Sequence, residues 1–447
     1  MTLEPESTVF VLLSFEGPDV YSRAGGLGVR VTGLSRSLAR MGYQTYLYFC
    51  GDPELPGEES QEGGRLHLRR WCQWISAQHP GGVYDGEEGK IRDWNYSLPP
   101  SLIDKVIAPA IAEDKLVVVL GEEWHTSWSM KLISDSLLYR GLRDRVAMLW
   151  NANNTFGFNR IDWTGLNLAT TLTTVSRYMK FRMWEWGQNP IVIPNGIPRE
   201  SIADADPAAV AGIRAAADSD HLWFKIGRFD PDKRWLMAVS AAGSMKRRGK
   251  AVKLVLRGGR EPHGAEVLSY AHQQGLIVRN SGGPPDVPSL VRLLSDLDGA
   301  DIINLTSFVS EHVVMALYAA SDAVLANSGH EPFGLVGLEV MAAGGIAVTG
   351  STGEDYAEAF RNAVVLETDD PLEIVTELSV LKEKPRLVAD MRRRGKATAR
   401  DYVWGKVIAQ LLARIEFVAQ RQAVKLPVQE GAAPKRGGST LRSLRKP

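Results

Sequence analysis

The chain has 447 residues, 44% of them hydrophobic, and its 52 Lys and Arg balance its 52 Asp and Glu. This length predicts two or three domains with sizeable cores, and the even charge gives no reason to expect nucleic acid as a partner. No apolar run approaches the roughly 18 residues of a membrane-spanning helix, and the acidic N-terminus is unlike a secretory signal. We therefore expect a cytoplasmic protein with no integral membrane segment, in which Cys50 and Cys72 are reduced thiols rather than a disulfide.

Strands and helices alternate along the first half of the chain, which predicts an α/β domain with a parallel sheet. Residues 9–13 form the first predicted strand, and apolar residues then recur at helical spacing over 27–41. The stretch that contains Trp71, Trp74 and Trp94 looks like an insertion or a long connection rather than a regular βα unit. The other predicted strands of this half are 45–49, 116–120, 146–150, 172–175 and 191–193.

A second βα series follows the turn Pro194-Asn195-Gly196, where we place the domain boundary. Its last part, 371–422, is predicted as one long helical stretch, and the end of the chain is a basic, apolar-poor segment. We expect that end to be disordered, and more simply solvated than bound to a polyanion or a membrane surface. Two such domains would face each other across a cleft at the carboxyl ends of their strands, the usual ligand position in open α/β sheets. The predicted strands of this half are 223–226, 252–256, 302–305, 323–325, 346–348 and 363–366.

A glycine-rich loop, Ser22-Arg23-Ala24-Gly25-Gly26-Leu27-Gly28, follows the first strand and opens the first helix. Glycine lets the backbone approach a ligand closely, and N–H groups at a helix N-terminus can bind a phosphate. No Gly-Lys-Ser/Thr follows, so the loop is not a Walker A motif. Gly25, Gly26 and Gly28 are candidates for phosphate contact, and a plain tight turn is an equal alternative.

The second domain carries two cations just after its first strand, in Gly227-Arg228-Phe229-Asp230-Pro231-Asp232-Lys233. Arg228 and Lys233 leave the carboxyl end of the strand, where they could face the cleft. Fixed cations there would stabilise the charge that grows on a diphosphate leaving group. The alternative is a solvated turn with two ordinary cations.

The segment from His330 to Gly344 is typical of a helix with a carboxylate at its start and a second one further along. Pro332 suits the first helical position, and Gly344 suits the end. The N-terminus of this helix would be an anion site, beside which Glu331 could accept hydrogen bonds from sugar hydroxyls. On a continuous helix Glu339 would lie roughly 12 Å further along the axis and about 80° around it, within reach of a ribose. A capped core helix with two incidental glutamates is the alternative.

Together these motifs resemble the retaining glycosyltransferases of the GT-B fold, in particular glycosyltransferase family 4 and its glycogen synthase and sucrose synthase relatives. The resemblance covers about residues 8–420 and rests on the order and spacing of the motifs. These are Gly25-Gly26-Leu27-Gly28, Ile193-Pro194-Asn195-Gly196-Ile197, the segment from Gly227 to Lys233, Glu331-Pro332-Phe333-Gly334-Leu335 with Glu339 and Met341-Ala342-Ala343-Gly344, and Trp404.

The resemblance implies an α/β protein of two Rossmann-like domains facing a central cleft. Residues 1–196 would be the acceptor domain and 197–400 the nucleotide-sugar donor domain. A helix at 401–422 would cross back to the first domain and pack on it, and 423–447 would be the basic tail.

The family also implies roles for the matching positions. Arg228 and Lys233 would hold the donor diphosphate, Glu331 the donor-sugar hydroxyls and Glu339 the ribose. The remaining donor contacts would be the backbone of Phe333, Gly334 and Leu335, the loop at Gly25, Gly26 and Gly28, and the base-binding segment at Phe308 and Val309.

One position departs from the family. Asn151, after the strand that ends at Trp150, stands where the family usually has a histidine that is thought to hydrogen-bond the sugar. An amide can both donate and accept hydrogen bonds but cannot carry a proton. We count Asn151 among the catalytic candidates. His125, after the preceding strand, either lines the cleft too or is a structural histidine.

The resemblance implies retaining transfer of a hexose from a nucleotide-diphospho-sugar to a hydroxyl acceptor by front-face attack. It implies no metal and no cofactor beyond the co-substrate. The acceptor would be a saccharide, a lipid or a small molecule, and the tryptophans from Trp71 to Trp94 either line its site or pack in the core. Two alternatives stay open. One is a sugar phosphorylase of the trehalose phosphorylase type, in which Glu339 would have no ribose to bind. The other is a non-catalytic sugar- or nucleotide-binding GT-B protein, which Asn151 favours.

Overall fold

The computed structural model of the protein describes residues 3–426, and the first of its two sheets has eight strands. They are β1 (Thr8–Leu13), β2 (Gln44–Cys50), β3 (Glu58–Gln61), β4 (Leu66–Trp71), β5 (Leu116–Glu122), β6 (Val146–Ala152), β7 (Thr171–Thr174) and β8 (Ile191–Val192). Their order is β3-β4-β2-β1-β5-β6-β7-β8, and all are parallel except β3, which runs antiparallel to β4 at the edge. β1 pairs with β2 and β5, and all six of its residues are buried, as its apolar run predicts for a central parallel strand.

The second sheet is parallel throughout. Its strands are β9 (His221–Ile226), β10 (Val252–Arg257), β11 (Val278–Ser281), β12 (Ile302–Leu305), β13 (Ala323–Ala326), β14 (Ala347–Thr349) and β15 (Val364–Val365). They lie in the order β11-β12-β10-β9-β13-β14-β15. β9 lies between β10 and β13, so its carboxyl end meets theirs at one edge of the sheet. The prediction of two parallel α/β sheets is confirmed.

Helices cover both faces of each sheet. In the first part of the chain they are α1 (Gly26–Arg40), α2 (Gln73–Ser76), α3 (Glu87–Leu102), α4 (Ala108–Ala112), α5 (Trp124–Tyr139), α6 (Trp163–Ala169) and α7 (Arg177–Trp184). In the second part they are α8 (Pro207–Ala217), α9 (Trp235–Arg247), α10 (His263–Gln273), α11 (Val287–Asp296), α12 (Glu311–Ala320), α13 (Leu335–Ala342), α14 (Pro371–Lys382), α15 (Pro385–Ala399) and α16 (Trp404–Arg421).

The stretch that we predicted as one long helix is three helices. α14 ends at Lys382, and Pro385 begins α15 at a position that suits a residue without an N–H. A short 3-10 turn, Arg400–Tyr402, then separates α15 from α16. The apolar spacing alone did not reveal these two breaks.

The prediction of an insertion around the tryptophans is wrong, because this region supplies a regular strand and a core helix. β4 pairs with β2 over six residues and ends at Trp71. Trp94 lies in α3 with no exposed surface, and its indole N–H donates to Ser129 Oγ over 3.2 Å. The strand was missed because its buried and half-buried residues alternate in a sequence that carries a His and two Arg.

α16 packs on the first domain although its chain leaves the second. Trp404 and Val407 join the core that Leu34 of α1 also enters. The indole of Trp404 lies against two glycines, since a Cβ added at Gly33 or Gly196 would come within 2.4 or 2.5 Å of it. The close approach of α16 to the first domain therefore depends on these two glycines.

The first residues of the predicted tail are ordered against the first domain. Val424 is buried, and the Lys425 N–H donates to the Asp144 carbonyl over 2.7 Å. The rest of the predicted tail, 427–447, lies outside the described residues. Cys50 and Cys72 are both buried and free. Within residues 3–426, no helix is both long and apolar enough to cross a bilayer.

Candidate functional site

The two domains meet at the carboxyl ends of their strands. Ser176, after β7, donates from Oγ to the Pro332 carbonyl over 2.6 Å. The Arg177 N–H donates to the Asp355 carboxylate over 2.7 Å. Pro332 follows β13 and Asp355 follows β14, so these bonds join the same edge of both sheets. A ligand between the domains would meet the ends of strands from each, as open α/β sheets usually arrange it.

The turn after β9 presents the cations that the sequence singled out. Arg228 is exposed, and its guanidinium has no hydrogen-bond or ion-pair partner among the described residues. Its backbone carbonyl accepts a hydrogen bond from the indole of the buried Trp235 over 2.8 Å, which fixes the base of the side chain. Among the described residues, Arg228 is therefore an unpaired cation at this edge, with its backbone held in place by Trp235.

Lys233 is held by Glu331. Its ammonium donates to Glu331 Oε2 over 2.5 Å, and the two side chains are 28% and 20% exposed. Lys233 comes from the short 3-10 turn Pro231–Lys233, whereas Glu331 comes from the loop after β13. Two residues that the sequence placed 98 positions apart thus form one ion pair.

The helix that we predicted to begin at Pro332 begins at Leu335 instead. Gly334 adopts a left-handed conformation (φ 79°), and the Tyr356 hydroxyl donates to its carbonyl. Phe333 is buried beside the Tyr356 ring, so residues before Leu335 form a turn rather than a helical start. The N–H groups of the first helical turn still have no partner within the helix, and they follow Glu331 by only a few residues.

This correction also changes the relation between the two glutamates. Glu331 lies outside the helix, so the helical distance that we predicted between it and Glu339 does not apply. Glu339 is half-buried on α13 and accepts a hydrogen bond from the buried Tyr318 hydroxyl over 3.3 Å. Burial raises the pKa of Glu339 to about 7, although the bond from Tyr318 opposes that shift. The carboxyl can therefore be neutral or ionised near pH 7.

An open pocket lies beside Arg228. Phe308 and Val309, after β12, line one part of it, and their contact with a base stays a prediction. Arg257, the last residue of β10, and Gly259, just after it, line another part and were not predicted. The pocket thus combines apolar side chains with the two guanidinium groups of Arg228 and Arg257.

A buried lysine stabilises the carboxyl edge of the second sheet. Lys225, on β9, is 2% exposed and donates to the Leu325 carbonyl over 2.9 Å and to Asn327 Oδ1 over 2.6 Å. Burial lowers the pKa of Lys225 well below its usual value, and the nearby charges of Lys233 and Arg234 lower it further. Lys225 fixes the end of β13, from which the loop to Glu331 leaves.

The glycine-rich loop already binds an anion of its own chain. The Glu16 carboxylate accepts backbone N–H donors from Ala24 (3.2 Å), Gly25 (2.9 Å) and Gly28 (3.0 Å). Its other oxygen accepts from the Tyr84 hydroxyl over 2.7 Å. Gly26 is exposed, with no atom near the position of an added Cβ, so it is the glycine of this loop that faces open space. A phosphate would therefore have to compete with Glu16 for the N–H groups of Gly25 and Gly28.

Asn151 belongs to a buried polar network. It is 4% exposed, its amide donates to Glu122 Oε2 over 2.9 Å, and its oxygen accepts from Thr173 over 3.0 Å. Arg30 also donates to Glu122, over 3.1 Å, and to Asn195 at the domain boundary. The Asn151 side chain is therefore oriented by its own domain, and its catalytic role stays a prediction.

His125 and Glu123 lie in the first domain next to this network. His125 is buried, stacks on Phe15 with ring centroids 4.3 Å apart, and contacts Glu87 through Nε2 at 2.8 Å. Burial lowers the pKa of His125. Glu123 has a positive φ of 65°, and burial raises its pKa to about 8. Glu123 Oε2 and His125 Nδ1 have no partner among the described residues.

Sequence reasoning missed Glu16, Glu123, Lys225 and Arg257. Each lies at or just beyond the carboxyl end of a strand, and charged residues at those ends were the available signal. Across residues 3–426, no three His, Cys, Asp or Glu side chains group together as a metal site requires.

Residues 212–398 match the family model described as Glycosyl transferases group 1. Among curated proteins, the chain is 24% identical over 352 residues to the D-inositol 3-phosphate glycosyltransferase of Frankia alni, covering 74% of this chain and 78% of that one.

Solved structures share the fold over nearly the whole chain. The sucrose-phosphate synthase of Thermosynechococcus elongatus superposes with a TM-score of 0.63 at 18% identity, over 92% of this chain and 100% of that one. The catalytic domain of Arabidopsis thaliana starch synthase IV, bound to ADP and acarbose, gives 0.66 at 16% identity, over 93% and 99%. Anabaena HepE in complex with UDP gives 0.61 at 14% identity, over 92% and 100%.

The solved structures and the family match define the class: the chain has the GT-B fold, and its residues 212–398 match a group 1 glycosyl transferase domain. That domain contains the unpaired Arg228, the Lys233–Glu331 ion pair and the start of α13. The resemblance predicted from the sequence is therefore confirmed for the GT-B fold and for the group 1 glycosyl transferase domain.

Proposed function

We propose that this protein is a retaining glycosyltransferase that moves a hexose from a nucleotide-diphospho-sugar to a hydroxyl acceptor. The observation that carries the proposal is the arrangement at the second sheet. Arg228, whose guanidinium has no partner among the described residues, and Lys233 follow β9, whereas Glu331 and then the N-terminus of α13 follow the neighbouring β13. Such an arrangement suits a diphosphate with a sugar attached to it.

The donor would extend along this edge. The pocket lined by Phe308, Val309 and Arg228 would take the nucleoside, and Glu339 would accept hydrogen bonds from the ribose. The diphosphate would lie between Arg228, Lys233 and the first turn of α13, with the sugar beside Glu331. Gly26 would approach the phosphates from the first domain.

Transfer would then proceed on one face of the sugar. The acceptor hydroxyl attacks the anomeric carbon as the bond to the diphosphate oxygen breaks, and that oxygen takes the hydroxyl proton. The positive charges of Arg228 and Lys233 would stabilise the departing diphosphate, with Lys233 shared between it and Glu331. No metal or further cofactor is part of this proposal.

A second candidate is a GT-B protein that binds a nucleotide or sugar without turnover. The observation in its favour is Asn151, whose amide is held by Glu122 and Thr173. A sugar phosphorylase is less well supported, because the pocket beside Arg228 and the carboxyl of Glu339 would then have no nucleoside to bind.

The test is a thermal-shift comparison of UDP-, ADP- and GDP-glucose with inorganic phosphate as the phosphorylase arm. A nucleotide-sugar that binds should raise Tm by mass action. At a hundredfold excess over its Kd, the free energy of unfolding should increase by roughly 3 kcal/mol. With the selected donor, release of nucleoside diphosphate would report turnover, and the anomeric configuration of the product by NMR would test retention. Binding without any release would favour the non-catalytic candidate, and stabilisation by phosphate alone would favour the phosphorylase.

A further inference from the structure

Four aromatic side chains form one continuous row of rings at the carboxyl edge of the first sheet. The ring centroids of Tyr84 and His125 are 5.5 Å apart, those of His125 and Trp124 are 4.0 Å apart, and those of Trp124 and Phe156 are 6.5 Å apart. Tyr84 comes from the loop before α3, Trp124 and His125 from the start of α5, and Phe156 from the loop after β6. We call these four side chains the ring cluster, to which three separate connections contribute.

The two ends of the ring cluster are exposed. Tyr84 is 40% exposed and Phe156 is 72% exposed, whereas Trp124 and His125 between them are each 5% exposed. Phe158, which is 1% exposed, anchors the loop after β6 in the core of the first domain. Core packing therefore explains Phe158 but not Phe156. An exposed ring on a packed aromatic base can stack on the apolar face of a ligand.

The ring cluster lies beside the glycine-rich loop and next to Asn151. The Tyr84 hydroxyl donates to Glu16 Oε1 over 2.7 Å, and the other oxygen of Glu16 accepts N–H groups of that loop. Trp124 follows Glu123, whose N–H donates to the Asn151 carbonyl over 2.9 Å. This edge of the sheet is also the one at which the first domain meets the second. A ligand bound against the rings would therefore lie on the first-domain side of the cleft.

Three carboxyl groups adjoin the ring cluster. Glu16 accepts the hydrogen bond from Tyr84, and Glu87 contacts His125 Nε2 at 2.8 Å. Glu123 directly precedes α5, and its Oε2 is buried without a hydrogen-bond partner among the described residues. Carboxylate oxygens accept hydrogen bonds from hydroxyl groups, but they repel a phosphate group at close range.

Two cations lie beside the ring cluster, and both are engaged. The Lys90 ammonium is fully buried and donates to one hydroxyl and two carbonyl oxygens over 2.7–3.1 Å, which uses all three of its N–H groups. The Arg160 guanidinium lies 4.1 Å from the centroid of the Trp124 ring and donates to Glu88 Oε1 over 2.6 Å. A phosphate group would therefore find no free N–H on Lys90 and would have to share Arg160 with Glu88.

We propose that the ring cluster binds the acceptor of the transfer and that this acceptor is a neutral saccharide. The exposed rings of Tyr84 and Phe156 stack on the C–H face of a sugar, and the adjoining carboxyl groups accept hydrogen bonds from its hydroxyls. A phosphorylated sugar would be repelled by the same carboxyl groups. This inference rests on the proposed function, since that reaction needs a hydroxyl acceptor, and it narrows the acceptor to one chemical class.

Saturation-transfer NMR of the full chain tests the class of acceptor without requiring turnover. The probes are glucose, mannose, maltose and sucrose, with glucose 6-phosphate and mannose 6-phosphate as the charged counterparts, each with and without UDP, ADP or GDP. At least one neutral saccharide should bind, and a sugar phosphate should bind at least about tenfold more weakly than its parent sugar. Equal or tighter binding of the phosphates would overturn the proposal, as would the absence of a signal from all four neutral sugars.

Phe156→Ser tests the ring cluster itself. The variant should weaken binding of the selected saccharide about fivefold, and Phe156→Tyr should restore it because the ring is kept. Tyr139→Ser is the matched control, since Tyr139 is 95% exposed at the other end of α5, and it should bind as the wild type does. The rise in Tm that a nucleoside diphosphate causes should be unchanged in all three variants. Equal weakening in Tyr139→Ser, or loss of the nucleotide-induced rise in Phe156→Ser, would contradict the assignment.

The same measurements separate this inference from the proposed function. Saccharide binding that Phe156→Ser weakens, in a protein that no nucleoside diphosphate stabilises and that releases none from a nucleotide-sugar, would refute the transferase and leave the saccharide site in place. Release of nucleoside diphosphate that responds to a sugar phosphate but to no neutral sugar would refute the neutral acceptor and leave the transferase in place.

Discussion

Lys233 Nζ lies 2.5 Å from Glu331 Oε2, and this contact joins the turn after β9 to the loop after β13. Each side chain limits where the other can go, so the charged groups of the candidate site are positioned before any ligand arrives. The pair also leaves Arg228 as a nearby cation without a partner among the described residues. A bound diphosphate would compete with Glu331 for the Lys233 ammonium. It could bind the Arg228 guanidinium without displacing another group.

Arg228→Ala should reduce kcat/KM by about a hundredfold or more, because it removes a fixed charge that faces the leaving group. The free energy of unfolding should change by less than about 0.5 kcal/mol, since the side chain is exposed and unpaired. Initial rates with the selected donor and a thermal melt measure the two effects. Arg248→Ala is the control, because Arg248 is exposed at the other end of α9. Equal rate loss in both variants would contradict the assignment.

Lys233→Met and Glu331→Gln should each reduce kcat/KM, and the double variant should lose less than the two single losses combined. Paired residues that act as a unit typically show coupling of about 1 kcal/mol or more. Stability should change little, because a partly exposed pair contributes less than about 1 kcal/mol. The double-mutant cycle needs only the four kcat/KM values. Strict additivity would show that the two side chains act on the donor independently.

The pH dependence of stability should depend on Glu123. Its pKa is about 8 in the folded protein and 4.5 as an unperturbed group, so the folded state binds its proton more tightly. This contribution is fully present below pH 4.5 and is lost as pH rises through 8. From pH 5 to 9 the wild type should therefore lose on the order of a few kcal/mol more than Glu123→Gln does.

Urea unfolding at pH 5, 7 and 9 would measure that difference. Glu339 and Glu354, with pKa values raised to about 7 by burial, should leave part of the slope in place. Glu88→Gln is the control, because the Glu88 side chain is 69% exposed and should leave the wild-type slope unchanged. The same slope in Glu123→Gln as in the wild type would contradict the raised pKa.

Gly33→Ala should destabilise the protein by roughly 1–3 kcal/mol, because the added Cβ would lie 2.4 Å from the indole of Trp404. Gly405→Ala is the matched control in α16, since its Cβ would meet no atom within 4 Å. Removing a glycine from an unstrained helical position should be neutral or stabilising by about 0.4–1 kcal/mol. Thermal melts of both variants decide the prediction, which fails if Gly33→Ala is as stable as Gly405→Ala.

The sequence alone determined the fold class, and it pointed to the candidate site residues of the second domain. Continuous apolar strands alternating with helices can only be buried between two helical layers, so two parallel sheets followed directly from the pattern. Arg228 and Lys233 were singled out because they follow a strand, and Glu331 because it precedes a predicted helix start. Their roles at the site stay predictions.

Only the tertiary structure decided which groups contact each other. The Lys233–Glu331 pair spans two loops, and the Glu16 carboxylate, just beyond the end of β1, accepts hydrogen bonds from the glycine-rich loop. The start of α13 moved from Pro332 to Leu335 because Phe333 packs in the core beside Tyr356, a contact that outweighs the helical preference of proline at a first turn. The orientation of the Asn151 side chain likewise depends on its hydrogen bonds with Glu122 and Thr173 on neighbouring strands. Side-chain contacts between distant segments are not encoded in local spacing, and they determine the electrostatics of this site.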